Sequence, residues 1–321
     1  MTDRCIESAP RCLFLFGAGA SYGSQTCARP PLGGCDLFNA LVGCDPAGWG
    51  KLNTDLAKIF RNDFEEGMAQ IVDTRRTALQ LALARYLFGF EPSDGNLYFK
   101  LAKRIRRYRA DKGVRWPGAF ATLNYDRLLQ SALTRAGLHF DLYEGFLDAF
   151  EMCAPHGLCN LFPSRVRYDP NVSIDPRNPM VVFEAGSRIE FDKSPVLLES
   201  PSDFALAASW PFPPVMSYYE PLKESTVQME WLEDRRDRFT MLVRSAEKIA
   251  IIGVRVHAEV DQHIWAPLAD TPATLLYCSG NADDFRKWRL KVQRNNSNDI
   301  ALDGLYFKEG FSEILEFAGL G

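Results

Sequence analysis

Short apolar runs that end in small or polar residues recur along the chain, and each run is followed by a segment with helical periodicity. Strands are predicted at Cys12–Phe16, at 119–123, at 249–252 and in the run that ends near Cys278. Apolar residues spaced three and four positions apart predict a helix after each strand. Repeated strand-and-helix units are typical of a parallel sheet with helices on both faces, which binds ligands at the carboxyl ends of its strands. The pattern therefore predicts an α/β, Rossmann-like fold.

Two segments interrupt this alternation. Residues 36–112 contain several runs with helical spacing and without proline, which predict a helical insertion module. Residues 158–245 contain many prolines and two aromatic-rich stretches, which predict a loop-rich insertion. We therefore interpret residues 1–321 as a single domain that carries these two insertions.

Composition narrows the class of protein. The 321 residues are 46% hydrophobic and 24% charged, as is usual for soluble globular proteins. A formal net charge of -4 disfavours nucleic acid as the main ligand, because clustered Lys and Arg hold phosphate backbones. No apolar stretch approaches the ~20 residues that span a bilayer, and no apolar signal-peptide core follows Met1, so a cytoplasmic location without a membrane partner is expected. The eight cysteines form no Cys-x-x-Cys pair, which predicts free thiols rather than a zinc ribbon.

The first predicted strand runs into a turn of small residues, GAGASYG, at residues 17–23. Three interpretations are open: a nucleotide clasp, a serine nucleophile on a sharp turn, or a tight strand-to-helix connection. A dinucleotide fingerprint needs a third glycine where Tyr22 stands, and no acidic residue closes a second strand about twenty residues on. An ordinary nicotinamide-dependent dehydrogenase is therefore disfavoured. A P-loop is excluded because no Gly-Lys-Ser/Thr follows the turn.

The same turn contains Gly-x-Ser-x-Gly around Ser21, and Asp126 and His156 follow in the chain order of α/β-hydrolases. However, the turn follows the first strand, so no earlier strand is present to donate the usual oxyanion amide. A phosphate or ribose clasp is the better interpretation of the turn. Glycine lets backbone amides approach an anion, and the dipole of the following helix attracts it.

Four short motifs together resemble the sirtuin family. They are GAGAS at 17–21, TLNYD at 122–126, PHG at 155–157 and IIGVRVHAEVDQHI at 251–264. They are similar to the sirtuin Gly-Ala-Gly-x-Ser, Thr-Gln-Asn-x-Asp, His-Gly and the later strand, glycine turn and aspartate. The resemblance covers roughly 12–35, 118–160 and 248–285, and it includes neither insertion. It implies an NAD-binding Rossmann-like core.

The resemblance also implies roles for single residues. Asn124 and His156 would be the catalytic pair, with the asparagine ordering a water or the ribose and the histidine serving as general base. Asp126 would hold the nicotinamide amide or only cap its helix. Arg255 would pair with the pyrophosphate or lie on the surface, and Asn281 would meet a ribose or only make a turn. The residues expected to bind the cofactor are Gly17, Ala18, Gly19, Ser21, Gly253, Arg255, Asp261 and Asn281.

Departures from the family pattern limit the expected activity. The two cysteine pairs of zinc-binding deacylases are missing, and Leu123 stands where the family has glutamine. The chain thus resembles prokaryotic sirtuin-like effectors of antiphage defence, which implies hydrolysis of NAD+ to nicotinamide and ADP-ribose in abortive infection. An NAD-dependent protein deacylase and a non-enzymatic module that binds NAD or ADP-ribose remain alternatives.

No metal is expected from the sequence. Four residues with metal-binding side chains are predicted to share one helix after the strand at 249–252, but they lack a His-Glu-x-x-His frame. They are His257, Glu259, Asp261 and His263.

An uncontrolled NAD+ hydrolase would harm its own cell. The resemblance therefore implies that activity is gated, either by homo-oligomerisation or by a partner sensor such as an ATPase or an Argonaute-like protein. No sensor domain is recognisable in the sequence itself.

Overall fold

A seven-stranded parallel sheet forms the centre of the protein in the computed structural model. The structure describes residues 12–71, 73–143, 148–164, 166–168, 189–209, 212–217 and 227–321. The α/β prediction is confirmed, and so are the four strand-and-helix units. Part of the predicted loop-rich insertion, including 169–188, lies outside the described residues.

The strands follow each other in the sheet in the order β11-β10-β9-β1-β2-β4-β3. Their bounds are β1 (Cys12–Phe16), β2 (Gly118–Thr122), β3 (Phe140–Asp141), β4 (Phe150–Cys153), β9 (Lys248–Ile252), β10 (Thr274–Cys278) and β11 (Ile300–Ala301). Two small antiparallel pairs lie outside this sheet: β5 (Leu161–Phe162) with β8 (Val196–Leu197), and β6 (Val166–Tyr168) with β7 (Ile189–Phe191).

The central strands end in register, and this alignment positions the candidate site. Phe16 at the end of β1 is paired with Thr122 of β2 and with Ile252 of β9. Ile252 is in turn paired with Cys278, the last residue of β10. The turns that follow these four strands therefore lie side by side at one edge of the sheet.

Helices cover both faces of the sheet, because its buried strands alternate their apolar side chains between two cores. Phe14 and Phe16 belong to one core, and Leu13 and Leu15 belong to the other. The helices are α1 (Ala18–Gly23), α2 (Gly34–Cys44), α3 (Thr54–Asn62), α4 (Phe64–Ala69), α5 (Asp73–Phe88), α6 (Leu97–Lys112), α7 (Leu128–Arg135), α8 (Pro201–Ala207), α9 (Met229–Ser245), α10 (Gln262–Asp270), α11 (Asp283–Lys291) and α12 (Phe311–Phe317).

The segment between β1 and β2 is helical, as the sequence predicts. Helices α2 to α5 share a separate apolar cluster, which also includes Phe162 and Phe204 from later in the chain, and in it the ring of Phe60 stacks on Phe38 at 5.4 Å. Helix α6 differs, because its buried residues Leu101 and Ile105 pack into the core of the sheet. The last part of the predicted module 36–112 therefore contributes to the main core.

The predicted boundaries of the loop-rich insertion, 158–245, need a correction at their carboxyl end. Residues Met229–Ser245 form the 17-residue helix α9, which packs on the sheet through Phe239, Leu242 and Val243. The apolar face of α9 is interrupted by Arg235, which is 6% exposed and donates to the carbonyl oxygen of Leu142. Because a charged residue stands at a core position, the apolar periodicity of this helix is not evident in the sequence.

Within the described parts of the chain, none of the helices combines the length and the apolar character needed to cross a membrane.

Candidate active site

A cleft of about 1250 Å³ opens at the carboxyl ends of the central strands. Its floor is built by the turns after β1, β2 and β9, which are in register, and Ser279 after β10 also lines it. Asn281 is the one predicted site residue that does not line the cleft. The predicted site residues that do are Gly17, Ala18, Gly19, Ser21, Asn124, Asp126, His156, Gly253, Arg255 and Asp261.

Asn124 lies just beyond the end of β2 and is 6% exposed. Its Nδ2 donates to the carbonyl oxygen of Gly17 at 2.9 Å and to Ser21 Oγ at 2.8 Å. Because a carbonyl oxygen can only accept, the amide nitrogen must face Gly17, and Oδ1 is the opposite end of the side chain. Asn124 Oδ1 is buried and accepts no hydrogen bond from the described residues. A buried acceptor without a partner costs about 1–3 kcal/mol, so a donor that reached this atom would stabilise the site.

Ser21 is fixed by polar neighbours rather than by a histidine. Its Oγ lies 3.2 Å from the hydroxyl of Tyr98 and accepts from Asn124. In the part of the chain that the structure describes, no imidazole lies within hydrogen-bonding distance of this hydroxyl. The arrangement therefore does not form the serine-to-histidine pair that a hydrolase nucleophile needs.

Asp126 lines the cleft and also accepts a hydrogen bond at the start of α7. Its Oδ1 accepts from the amide of Leu128, the first residue of α7, at 3.0 Å. Burial raises the pKa of Asp126 above its usual range, although hydrogen bonds from Leu128 and Ser21 oppose the shift. Burial, followed by the nearby Asp126 charge, raises the pKa of Tyr98 well above its usual range.

His156 lies in the segment between β4 and β5 and is 5% exposed. A turn places it there: Gly157 has a φ of +76°, and a Cβ at Gly157 would lie 2.0 Å from the carbonyl oxygen of Val215. The Nε2 atom of His156 is 2.9 Å from Nε2 of His263 and 3.8 Å from Oδ1 of Asp261. The imidazole therefore lies in the cleft beside a second imidazole and a carboxylate.

The prediction that His257, Glu259, Asp261 and His263 share one helix is wrong. Residues 254–257 after β9 have no regular secondary structure, with Val254 and Val256 packed against the sheet core and Arg255 and His257 exposed. Residues 258–260 form a turn, and α10 begins only at Gln262. Glu259 points away to pair with Lys291 at 2.8 Å, whereas Asp261 and His263 lie beside His156.

The small residues of the first turn pack against the turn after β9. The amide of Gly17 donates to the carbonyl oxygen of Ile252, and that of Gly19 donates to the carbonyl oxygen of Gly253, both at 2.9 Å. A Cβ at Gly17 would lie 2.6 Å from the oxygen of Gly253. These two glycines thus line the cleft, but their amides are already bonded within the protein and do not face an anion.

Arg255 and Asn281 lie in different places relative to the cleft. Arg255 is exposed at the mouth of the cleft and makes no ion pair with any residue that the structure describes. Asn281 is exposed outside the cleft, and its Oδ1 accepts from the amide of Asp283 at 2.9 Å in the turn before α11. The turn-forming alternative for Asn281 is therefore the one observed.

The sequence does not assign two residues that belong to the site. Tyr98 belongs to α6, inside the predicted helical module. The sequence indicates only that it lies in the first turn of a helix capped by Asn96, and not that it contacts the site. His263 belongs to the group of metal-binding side chains after β9, but nothing in the spacing indicates that it meets His156, 107 positions away. Both contacts depend on how distant segments pack.

Solved structures match along nearly the full length of the chain. A complex titled "Sir2 bound to acetylated peptide" has 12% identity and a TM-score of 0.39, and the match covers 98% of this chain and 95% of that chain. A variant Sir2 homologue in complex with ADP-ribose has 13% identity and a TM-score of 0.40, with 100% and 96% coverage. A complex of Sir2 with a p53 peptide and NAD+ has 12% identity and a TM-score of 0.37, with 98% and 95% coverage.

These matching structures are sirtuins. They belong to the family that the four sequence motifs resemble, although identity and TM-score are low. No protein-family model and no curated protein matches the chain.

Proposed function

We propose that the protein hydrolyses NAD+ at the bond between nicotinamide and ribose, releasing nicotinamide and ADP-ribose. The observation that carries the proposal is Asn124, which lines the cleft and whose buried Oδ1 has no hydrogen-bond partner among the described residues. A ribose hydroxyl or the attacking water would donate to this atom. Cleavage passes through an oxocarbenium-like state, which needs a fixed acceptor to orient the water or the ribose.

The proton released by the attacking water would go to His156. An imidazole titrates near neutral pH and is the usual general base in proteins. The neighbouring ring of His263, with its Nε2 at 2.9 Å, offers a second position for that proton. This contact supports a catalytic role for His156 over that of a histidine buried only for packing.

Other features of the cleft suit the remainder of the substrate. Asp126 would accept from the carboxamide of nicotinamide, and Arg255, which makes no ion pair with a described residue, would meet the pyrophosphate. Ligand sites of about 300–1,000 Å³ hold drug-sized molecules, so a cleft of about 1250 Å³ has room for a dinucleotide.

The test is nicotinamide release from NAD+, followed by chromatography, for the wild-type protein and for Asn124→Ala and His156→Ala. We expect release without any peptide and a loss of at least about 100-fold in each variant. Asn39→Ala and His139→Ala are matched controls, because both residues are exposed and lie outside the cleft. These controls should retain wild-type activity.

The same assay with an acetylated peptide separates the alternatives. Release that requires the peptide would replace the proposal with NAD-dependent deacylation. Calorimetric binding of NAD+ without release, in the presence of every candidate partner, would indicate a module that only senses NAD+ or ADP-ribose.

We also propose that this activity serves antiphage defence and that it is gated by self-association or by a partner sensor. The motif resemblance to prokaryotic defence effectors and the toxicity of uncontrolled NAD+ loss support this part of the proposal. Infection of cells that carry wild-type protein or Asn124→Ala tests it: only the wild-type chain should deplete NAD+ after phage infection.

A further inference from the structure

We propose that His156, Asp261 and His263 bind one divalent transition-metal ion, with Zn²⁺ the ion that their chemistry fits best. One ligand atom from each residue lies within 4.8 Å of the other two. The two Nε2 atoms are 2.9 Å apart, and Oδ1 of Asp261 is 3.8 Å from Nε2 of His156.

These separations are compatible with a single ion. Zinc binds imidazole nitrogen at about 2.0–2.1 Å and carboxylate oxygen at about 2.0–2.2 Å. Two ligand atoms of one ion are therefore roughly 2.9–3.4 Å apart at angles between 90° and 109°, and at most about 4.2 Å apart. The 2.9 Å separation of the two imidazole nitrogens falls within the range for one ion, and the 3.8 Å separation falls below the maximum. All three ligand atoms lie within 4.8 Å of one another, so side-chain rotation that brings Asp261 closer would complete the set.

The donor set and its setting also favour an ion. Two imidazoles and one carboxylate form the three-ligand set of open zinc sites, whose fourth position faces a cavity. His156 and Asp261 line the cleft, and their side chains are only 6% and 17% exposed. The site joins two distant segments, because His156 follows β4 while Asp261 and His263 begin α10.

A metal-free hydrogen bond between the two rings has the same nitrogen-to-nitrogen distance and is the competing explanation. The two explanations differ in a measurable way. A hydrogen-bonded pair takes up no ion, whereas the proposed site binds one ion per chain and needs all three residues.

The experiment is a titration of chelator-treated protein with Co²⁺, whose visible absorption reports coordination by nitrogen and oxygen, and with Zn²⁺ by calorimetry. The titrations use a variant with the exposed thiols Cys27, Cys35 and Cys44 replaced by serine, because thiolates bind both ions. We expect one ion per chain. His263→Ala and Asp261→Asn should each weaken binding by at least about tenfold, since even outer-shell changes at metal sites have effects of that size.

His139→Ala is the matched control, because His139 is exposed just before β3 and should not affect binding. Circular dichroism of each variant shows that it is folded, and Asp261→Asn serves if His263→Ala does not fold. Failure to bind an ion, or equal binding by the wild-type protein and both site variants, would overturn the proposal.

The site has a consequence that rests on the proposed function. An ion on Nε2 of His156 occupies a lone pair of the proposed general base, so Zn²⁺ should inhibit nicotinamide release and a chelator should restore it. The two proposals fail separately. Metal binding without any hydrolysis would support the metal site and contradict the proposed hydrolase activity. Hydrolysis without metal binding would support the hydrolase activity and contradict the metal site.

Discussion

At the scale of single residues, the cleft holds polar groups that burial does not favour. Asn124 and Asp126 are buried, the first with an unpartnered oxygen and the second with a raised pKa. Such groups lower the stability of the folded state. Their presence just beyond β2 is understandable if they bind substrate, because function and stability then favour different residues.

Asp126→Asn is therefore expected to stabilise the protein at high pH. A raised pKa means that the folded state binds the proton more tightly than the unfolded state, so this group's contribution to the unfolding free energy falls as the pH rises from its usual pKa to the folded pKa. Asparagine still accepts from Leu128 and has no charge to bury. Urea unfolding at about pH 8 should show a gain on the order of 1 kcal/mol, with a smaller gain at about pH 5.

Asp55→Asn is the control for this prediction, since Asp55 is exposed on α3 and its replacement should not increase stability at about pH 8. A loss of stability for Asp126→Asn at about pH 8 would contradict the expectation. Asp126→Asn should also lose nicotinamide release. A variant that is more stable but inactive would show that the carboxylate serves function rather than folding.

At the scale of elements, two turns are packed into each other at the floor of the cleft. The turn after β1 and the turn after β9 are joined by backbone hydrogen bonds through Gly17, Gly19 and Gly253. Gly253 has a φ of +64°, and a Cβ there would lie 2.0 Å from the amide nitrogen of Ala20. Neither turn can accept a side chain at its contact.

Gly253→Ala should accordingly destabilise the protein far more than Gly304→Ala. Both glycines have positive φ, which costs an alanine about 1–2 kcal/mol, but a Cβ at Gly304 would have no atom within 4 Å. Thermal unfolding measures the difference. Equal losses for the two variants would mean that the two turns do not meet as closely as described.

Helix α9 provides a second test at this scale. Phe239 is fully buried in the core of the sheet, so Phe239→Ala should lower the unfolding free energy by about 3–5 kcal/mol. Met241 lies on the same helix but is 57% exposed, and Met241→Ala should change the unfolding free energy by less than about 0.5 kcal/mol. A small effect of Phe239→Ala would mean that α9 does not pack on the sheet and belongs with the loop-rich insertion, as the sequence predicts.

Sequence patterns predict these elements unequally. The central strands are predictable because each is a short apolar run that stops at a small or polar residue, as β1 does at Gly17. Helix α9 is hidden because Arg235 occupies a buried position on its apolar face. The pattern places the start of α10 too early because Val254 and Val256, which are packed on the sheet core, precede the helix in a segment without regular structure. Apolar spacing over so short a segment does not separate a helix from other structure.

At the scale of the whole molecule, the cleft collects groups from segments that are far apart in sequence. Motif order predicts that Asn124, His156 and the glycine turn share one site, because parallel strands place their carboxyl ends at one edge. The contacts of Tyr98 and His263 are not predictable, since they depend on the packing of α6 and α10. Patterns along the chain report which strands meet, but not which side chains meet above them.

Gating by self-association is a prediction for the whole molecule. If activity needs an oligomer, nicotinamide release per chain should rise with protein concentration, in parallel with the mass measured by light scattering. Constant activity per chain from a protein that remains monomeric, with no partner added, would contradict gating.

The central place of β1 in the sheet has a consequence for synthesis. β1 is made first, yet it lies between β2 and β9, and the turn that packs against Gly17 and Gly19 follows residue 252. Such long-range pairing slows folding. A nascent chain on the ribosome therefore cannot complete the floor of the cleft until β9 has emerged, and a truncated product that lacks β9 would also lack this floor.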